Sequence, residues 1–163
     1  MKKQKGQTLL EILLALGVSI LALSAVILSV ATSLSNAQFA KNQSLANSYA
    51  REGITIIRQI RDSSWGDFHS KASGDYCLPQ NNVLGVYSGN CYGNVGIFAR
   101  KVTIAHDSQS CCPGVMGCAS NVAGSKVTVG VSWTDNKCNV GSQYCHNVEV
   151  ITCLSNLDQK SML

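Results

Sequence analysis

The sequence predicts an α+β protein in which one long N-terminal helix, transmembrane in its first half and a stalk in its second, packs on a small, disulfide-rich antiparallel β-sheet domain. Three observations carry that prediction. The chain from Leu9 to Leu34 holds a single formal charge, Glu11. Helical periodicity then continues without Pro or Gly as far as Gly53, and all eight cysteines lie between Cys77 and Cys153, beyond the helix. The expected divisions are a basic leader at 1–6, a transmembrane helix at 7–34, its amphipathic continuation at 35–62 and an exported globular β domain at 63–163.

The apolar run is long enough to cross a bilayer, which takes about 20 mainly apolar residues. Thirteen Leu, Ile and Val residues between Ile12 and Leu34 contribute about −4 to −8 kcal/mol on insertion scales, before discounts for Gly17 and four serines. An acid at the helix centre costs about 2.5–3.5 kcal/mol, so the segment inserts despite Glu11. Lys2, Lys3 and Lys5 precede the run and Lys41 follows it. By the positive-inside tendency the N-terminus is then cytoplasmic and the cysteine-bearing part exported. Exported small domains use disulfides where a small core is insufficient, and cytosolic chains rarely keep them.

An acid inside an apolar helix calls for a partner, and no basic residue lies between Lys5 and Lys41. Cleavage after Gly6 would create one, the α-amine of Gln7, within reach of Glu11 on the same helix or on a neighbour. Lys5-Gly6-Gln7-Thr8-Leu9-Leu10-Glu11 followed by a long apolar helix resembles the N-terminus of type IV pilins and the related pseudopilins. The resemblance implies a prepilin peptidase that cuts between Gly6 and Gln7, methylation of Gln7, and a role for Glu11 in setting subunit register in a filament. It also implies a long helix followed by an antiparallel sheet. The family usually has Phe where Gln7 stands, and many members carry a Pro in the apolar segment, which is absent here.

Along the second half of the helix, Phe39, Ala46, Ala50, Ile54, Ile57 and Ile60 recur at helical spacing, while Arg51, Thr55, Arg58 and Asp62 occupy another face. Gly53 costs up to about 1 kcal/mol relative to Ala and permits either a close contact or a bend. From Ser63 to Gly96, clusters of Gly, Asn and Ser predict a long loop with at most one short hairpin, which a Cys77–Cys91 bond could close. Three strands follow, at Ile97–Ala105, Lys126–Thr134 and Val148–Leu154, and the simplest topology is an antiparallel meander. Val127, Val129, Val131 and Trp133 form the face on which the helix should rest.

The cysteines Cys77, Cys91, Cys111, Cys112, Cys118, Cys138, Cys145 and Cys153 are disulfide candidates. Eight cysteines allow 105 connectivities, but Cys138–Cys145 is favoured because it closes the loop between the last two strands; such a loop contributes about 2.5 kcal/mol. No C-x2–4-C knuckle supports zinc, so neither a metal site nor a cofactor is expected. His69, His106 and His146 fall in loop-like text, Asp107 beside His106 reads as a turn residue, and no nucleophile motif or phosphate loop occurs. No enzyme is expected.

Subtracting Lys2, Lys3 and Lys5 from the formal charge of +4 leaves +1, which gives no ground for nucleic-acid binding. The expected partners are the membrane, other pilin-like subunits and the prepilin peptidase, and the expected function is that of a structural, minor pilin-like filament subunit. The competing expectation is an exported binding module, anchored without cleavage or released by signal peptidase at Ser35-Asn36-Ala37. The mature N-terminus separates these readings: Gln7, Met1 or Gln38.

Overall fold

The computed structural model describes residues 7–106, 124–135, 137–139 and 144–156. Helix α1 runs from Gln7 to Ser63, in line with the periodicity. It passes through two compact units, Met1–Lys41 and Asn42–Leu163. In the first unit the described chain is helix alone, long and apolar enough to cross a membrane.

The second unit holds the rest of α1, a short helix α2 (Trp65–His69) and five strands: β1 (Gly74–Cys77), β2 (Gly85–Val86), β3 (Ala99–Ala105), β4 (Gly124–Trp133) and β5 (His146–Ser155). They form one antiparallel sheet in the order β2-β1-β3-β4-β5. The expected meander is β3-β4-β5. The expected short hairpin is β1–β2, and it joins the sheet because β1 also pairs with β3, Asp75 opposite Thr103 and Cys77 opposite Lys101.

Alternation decides which face meets the helix. Val127, Val129 and Val131 are fully buried, with Trp133 nearly so, and they stand beside Ile104, Val102 and Arg100 of β3. From α1, Ala46, Ala50, Ile54 and Ile57 are buried, as is Ile56, which lies outside the expected stripe. Ile60 is half-buried, and Arg51, Thr55, Arg58 and Asp62 are exposed as the pattern required. At Gly53 an added Cβ would lie 2.8 Å from the Val129 side chain, so this glycine serves a close approach of helix to sheet. Ile151 and Cys153, which interrupt the polar face of β5 in sequence, do lie on its exposed side.

Two features do not follow from the hydrophobic periodicity or the turn residues. The first is α2, hidden in text that reads as turns: Ser64 caps it by accepting a hydrogen bond from the Asp67 N–H at 3.1 Å, and Phe68 buries itself. Ser64-x-x-Asp67 is a helix-start signal. The second is Arg100, a β3 residue whose side chain is fully buried on the helix-facing side.

Candidate functional site

In the apolar half of α1, every Leu, Ile and Val from Leu9 to Leu34 is 54–73% exposed in the single chain. A continuous apolar surface of that kind on a soluble chain would be an interaction site. Here three of the hydroxyls within it are satisfied by the helix's own carbonyls. The Ser19 and Ser24 hydroxyls donate to the carbonyls of Ala15 and Ile20 at 2.7 and 2.8 Å, and Thr32 donates to Ser29 O at 2.9 Å. Such back-bonding removes the cost of a bare hydroxyl in lipid.

Glu11 differs from them. It is exposed, and no described residue pairs with it. Gln7 opens α1, whereas Gly6 lies outside the described residues.

Beyond α1 the candidates divide into disulfides and histidine clusters. Cys138–Cys145, the favoured pair, and Cys77–Cys91, which the loop allowed, are both bonded, with Cα atoms 5.6 and 5.4 Å apart. Cys153 is on β5. Cys111, Cys112, Cys118 and Asp107 lie outside the described residues.

His106 follows β3 and holds α2 against the sheet. Its Nδ1 is 2.6 Å from Ser125 Oγ and its Nε2 2.8 Å from Lys71 O. A carbonyl can only accept, so Nε2 carries the proton and Nδ1 accepts from the Ser125 hydroxyl. Burial pushes the His106 pKa down; the Lys71 carbonyl offsets part of this, and nearby His69 adds to the lowering. Ser125 is fully buried, so this serine–histidine pair is a packing lock, with its hydroxyl closed to a substrate. Sequence parity could have found it, since Ser125 shares the buried register of Val127 and Val129.

His146 opens β5 and its Nε2 meets Asp135 Oδ1 at 3.0 Å, beside the Cys138–Cys145 disulfide. Burial would raise the Asp135 pKa, but the Lys137 N–H and His146 outweigh it and hold the carboxyl below its usual range.

Tyr92 and Tyr144 stack with ring centroids 5.6 Å apart, and two open hollows flank the pair. Each tyrosine adjoins a disulfide cysteine, Cys91 or Cys145.

Compared with protein-family models, with curated proteins and with solved structures, the chain matches none.

Proposed function

We propose that this chain is a structural subunit of a membrane-derived filament of the type IV pilin or pseudopilin kind, in a minor role, assembling through the first half of α1. The observation that carries the reading is the lone carboxylate of Glu11 on an otherwise apolar, outward-facing helix, preceded by the Lys5-Gly6-Gln7 boundary. Before assembly the helix is the membrane anchor, its N-terminus cytoplasmic and the disulfide-bearing domain exported. A prepilin peptidase cuts after Gly6, and Gln7 becomes the methylated N-terminus. Neighbouring helices then cover the apolar surface. The Gln7 α-amine of one subunit meets Glu11 of another, in surroundings where the pair is worth more than in water.

Peptide mass spectrometry of the membrane-derived protein tests this reading. The expected mature chain begins at Gln7, with one added methyl. A chain beginning at Gln38 would reject it in favour of a released binding module, whose ligand surface would be the Tyr92–Tyr144 pair.

A further inference from the structure

We propose that Asp135, Cys138, Cys145 and His146 form a tetrahedral zinc site when the Cys138–Cys145 disulfide is reduced, so that the β4–β5 loop is closed either by a sulfur–sulfur bond or by a metal.

These residues supply four donor atoms of the types zinc prefers, all within 4.8 Å of one another. Asp135 Oδ1 is 3.0 Å from His146 Nε2 and 4.0 Å from Cys138 Sγ. Zinc bonds of roughly 2.0–2.3 Å imply tetrahedral ligand–ligand edges of about 3.3–3.8 Å. The Asp135 oxygen therefore stands within about half an ångström of metal spacing from the nitrogen and from the Cys138 sulfur, and the two bonded sulfurs must move apart.

Asp135 supplies what the cysteine pattern alone lacks. Asp135-x-x-Cys138 has the two-residue spacing of a metal knuckle, and its turn is formed: Cys138 N–H donates to Asp135 O at 3.1 Å, and Asp135 N lies 3.5 Å from Cys138 Sγ. On the other side Cys145 and His146 enter β5. The loop's ends do not depend on the disulfide, because Trp133 and His146 are register partners at the end of the β4–β5 ladder. The Trp133 ring, 5.2 Å from the His146 ring, walls one side and steadies the imidazole, as groups around metal ligands do.

Cys145 is exposed, so a dithiol reductant can reach its sulfur. Thiol–disulfide exchange then transfers two electrons to the bond, giving two thiols here and a disulfide in the reductant. Zinc binding displaces one proton from each thiol, and the proton that His146 Nε2 donates to Asp135 moves to Nδ1 or leaves with them. Reoxidation by a disulfide oxidant reverses both steps and ejects the ion. None of this depends on the filament reading.

The test uses the full chain in detergent, reduced with a phosphine, freed of reductant anaerobically and titrated with Co²⁺ and then Zn²⁺. We expect one Co²⁺ with the intense visible bands of tetrahedral thiolate coordination, displaced by Zn²⁺, and no such bands from oxidised protein. Cys77→Ser/Cys91→Ser should keep the site, and Cys138→Ser/Cys145→Ser should lose it. His146→Ala and Asp135→Asn should each weaken zinc binding about ten-fold or more. If the serine variants unfold, alkylation of the reduced parent decides, because zinc should shield Cys138 and Cys145 in the peptide map. Equal binding by Cys138→Ser/Cys145→Ser, or unshielded Cys138 and Cys145, overturns the proposal.

Discussion

Arg100 and Glu52 meet at 3.3 Å across a steep gradient of exposure, the guanidinium side chain 1% accessible and the carboxylate side chain 48%. Burial lowers the Arg100 pKa and Glu52 opposes the shift, but a guanidinium stays charged in either case. The rest of its charge is satisfied by carbonyls: Nε donates to Leu78 O at 2.8 Å, Nη2 to Pro79 O at 3.1 Å and Nη1 to Tyr49 O at 3.4 Å. One side chain of β3 thereby ties α1 to the chain that follows β1.

Unequal costs follow for the two partners. Arg100→Ala leaves the Leu78 carbonyl without its donor, removes one of the donors to the Pro79 and Tyr49 carbonyls and opens a cavity, and should destabilise the domain by about 2–5 kcal/mol. Glu52→Gln removes only a half-exposed charge screened by solvent, and should cost under about 1 kcal/mol. Urea unfolding of the detergent-solubilised chain, followed by tryptophan fluorescence, measures both. Equal losses would place the stabilisation in the ion pair instead of in the carbonyl cage.

Gly53 offers a second check on helix packing. Ala at this position gains up to about 1 kcal/mol of helix propensity, but its Cβ would press on Val129 at 2.8 Å, and overpacking costs about 1–3 kcal/mol. Gly53→Ala should therefore lower the unfolding midpoint. Val129→Ala removes the obstructing methyls, so Gly53→Ala should cost less in that background, and additive losses in the double variant would refute the contact.

The division between what could and could not be read in the sequence follows from the range of the forces. Alternation along Val127–Trp133 and the helical stripe through Ala46, Ala50 and Ile54 are local patterns, and they place sheet, helix and the face between them. The loop cysteines Cys138 and Cys145 pair across a short separation for the same reason. Arg100 reads as an ordinary strand charge, because its cage comes from Tyr49, Leu78 and Pro79, distant in sequence. Gly53 gave two alternatives that only the position of Val129 separates. Asp135 reads as a loop residue, because its contact with His146 is made across the loop. Near the start of α1, Glu11 is legible because a charge in an apolar run stands out without any tertiary partner.

His106 should make the domain sensitive to mild acid. Its folded-state pKa is pushed below the ordinary imidazole value, first by burial. The unfolded chain therefore takes up the proton more readily, and unfolding binds protons. This penalty is absent well above about pH 6.5 and grows as pH falls through the unfolded pKa towards the folded one. Asp75, also held low, chiefly by its hydrogen bond from Thr103, acts in the same sense but only below about pH 4. Between about pH 7 and 5, His106→Gln should lose less stability than the parent, as read from unfolding midpoints at the two ends. A parallel fall in both proteins would assign the acid sensitivity elsewhere.

The proposed assembly through α1 makes a prediction for Glu11. A lone carboxylate costs about 2.5–3.5 kcal/mol at the centre of a membrane helix and less near its end, and Glu11 stands one turn into α1. Removing the charge should leave insertion intact or improved, because the surrounding Leu and Ile residues carry it. In an assembly the same carboxylate would offset the α-amine created by cleavage on a neighbouring subunit, and there its loss leaves that cation unpaired in apolar surroundings. Glu11→Ala and Glu11→Leu should therefore yield processed, membrane-inserted protein with both disulfides formed, but fewer subunits in sheared filaments or in crosslinks. Recovery normalised to membrane content reads the difference, and comparing the two variants separates charge from volume. A deficit in Ala that Leu repairs would mean that packing, and not charge, sets the register; undiminished recovery in both would remove the physical ground for assembly through this helix.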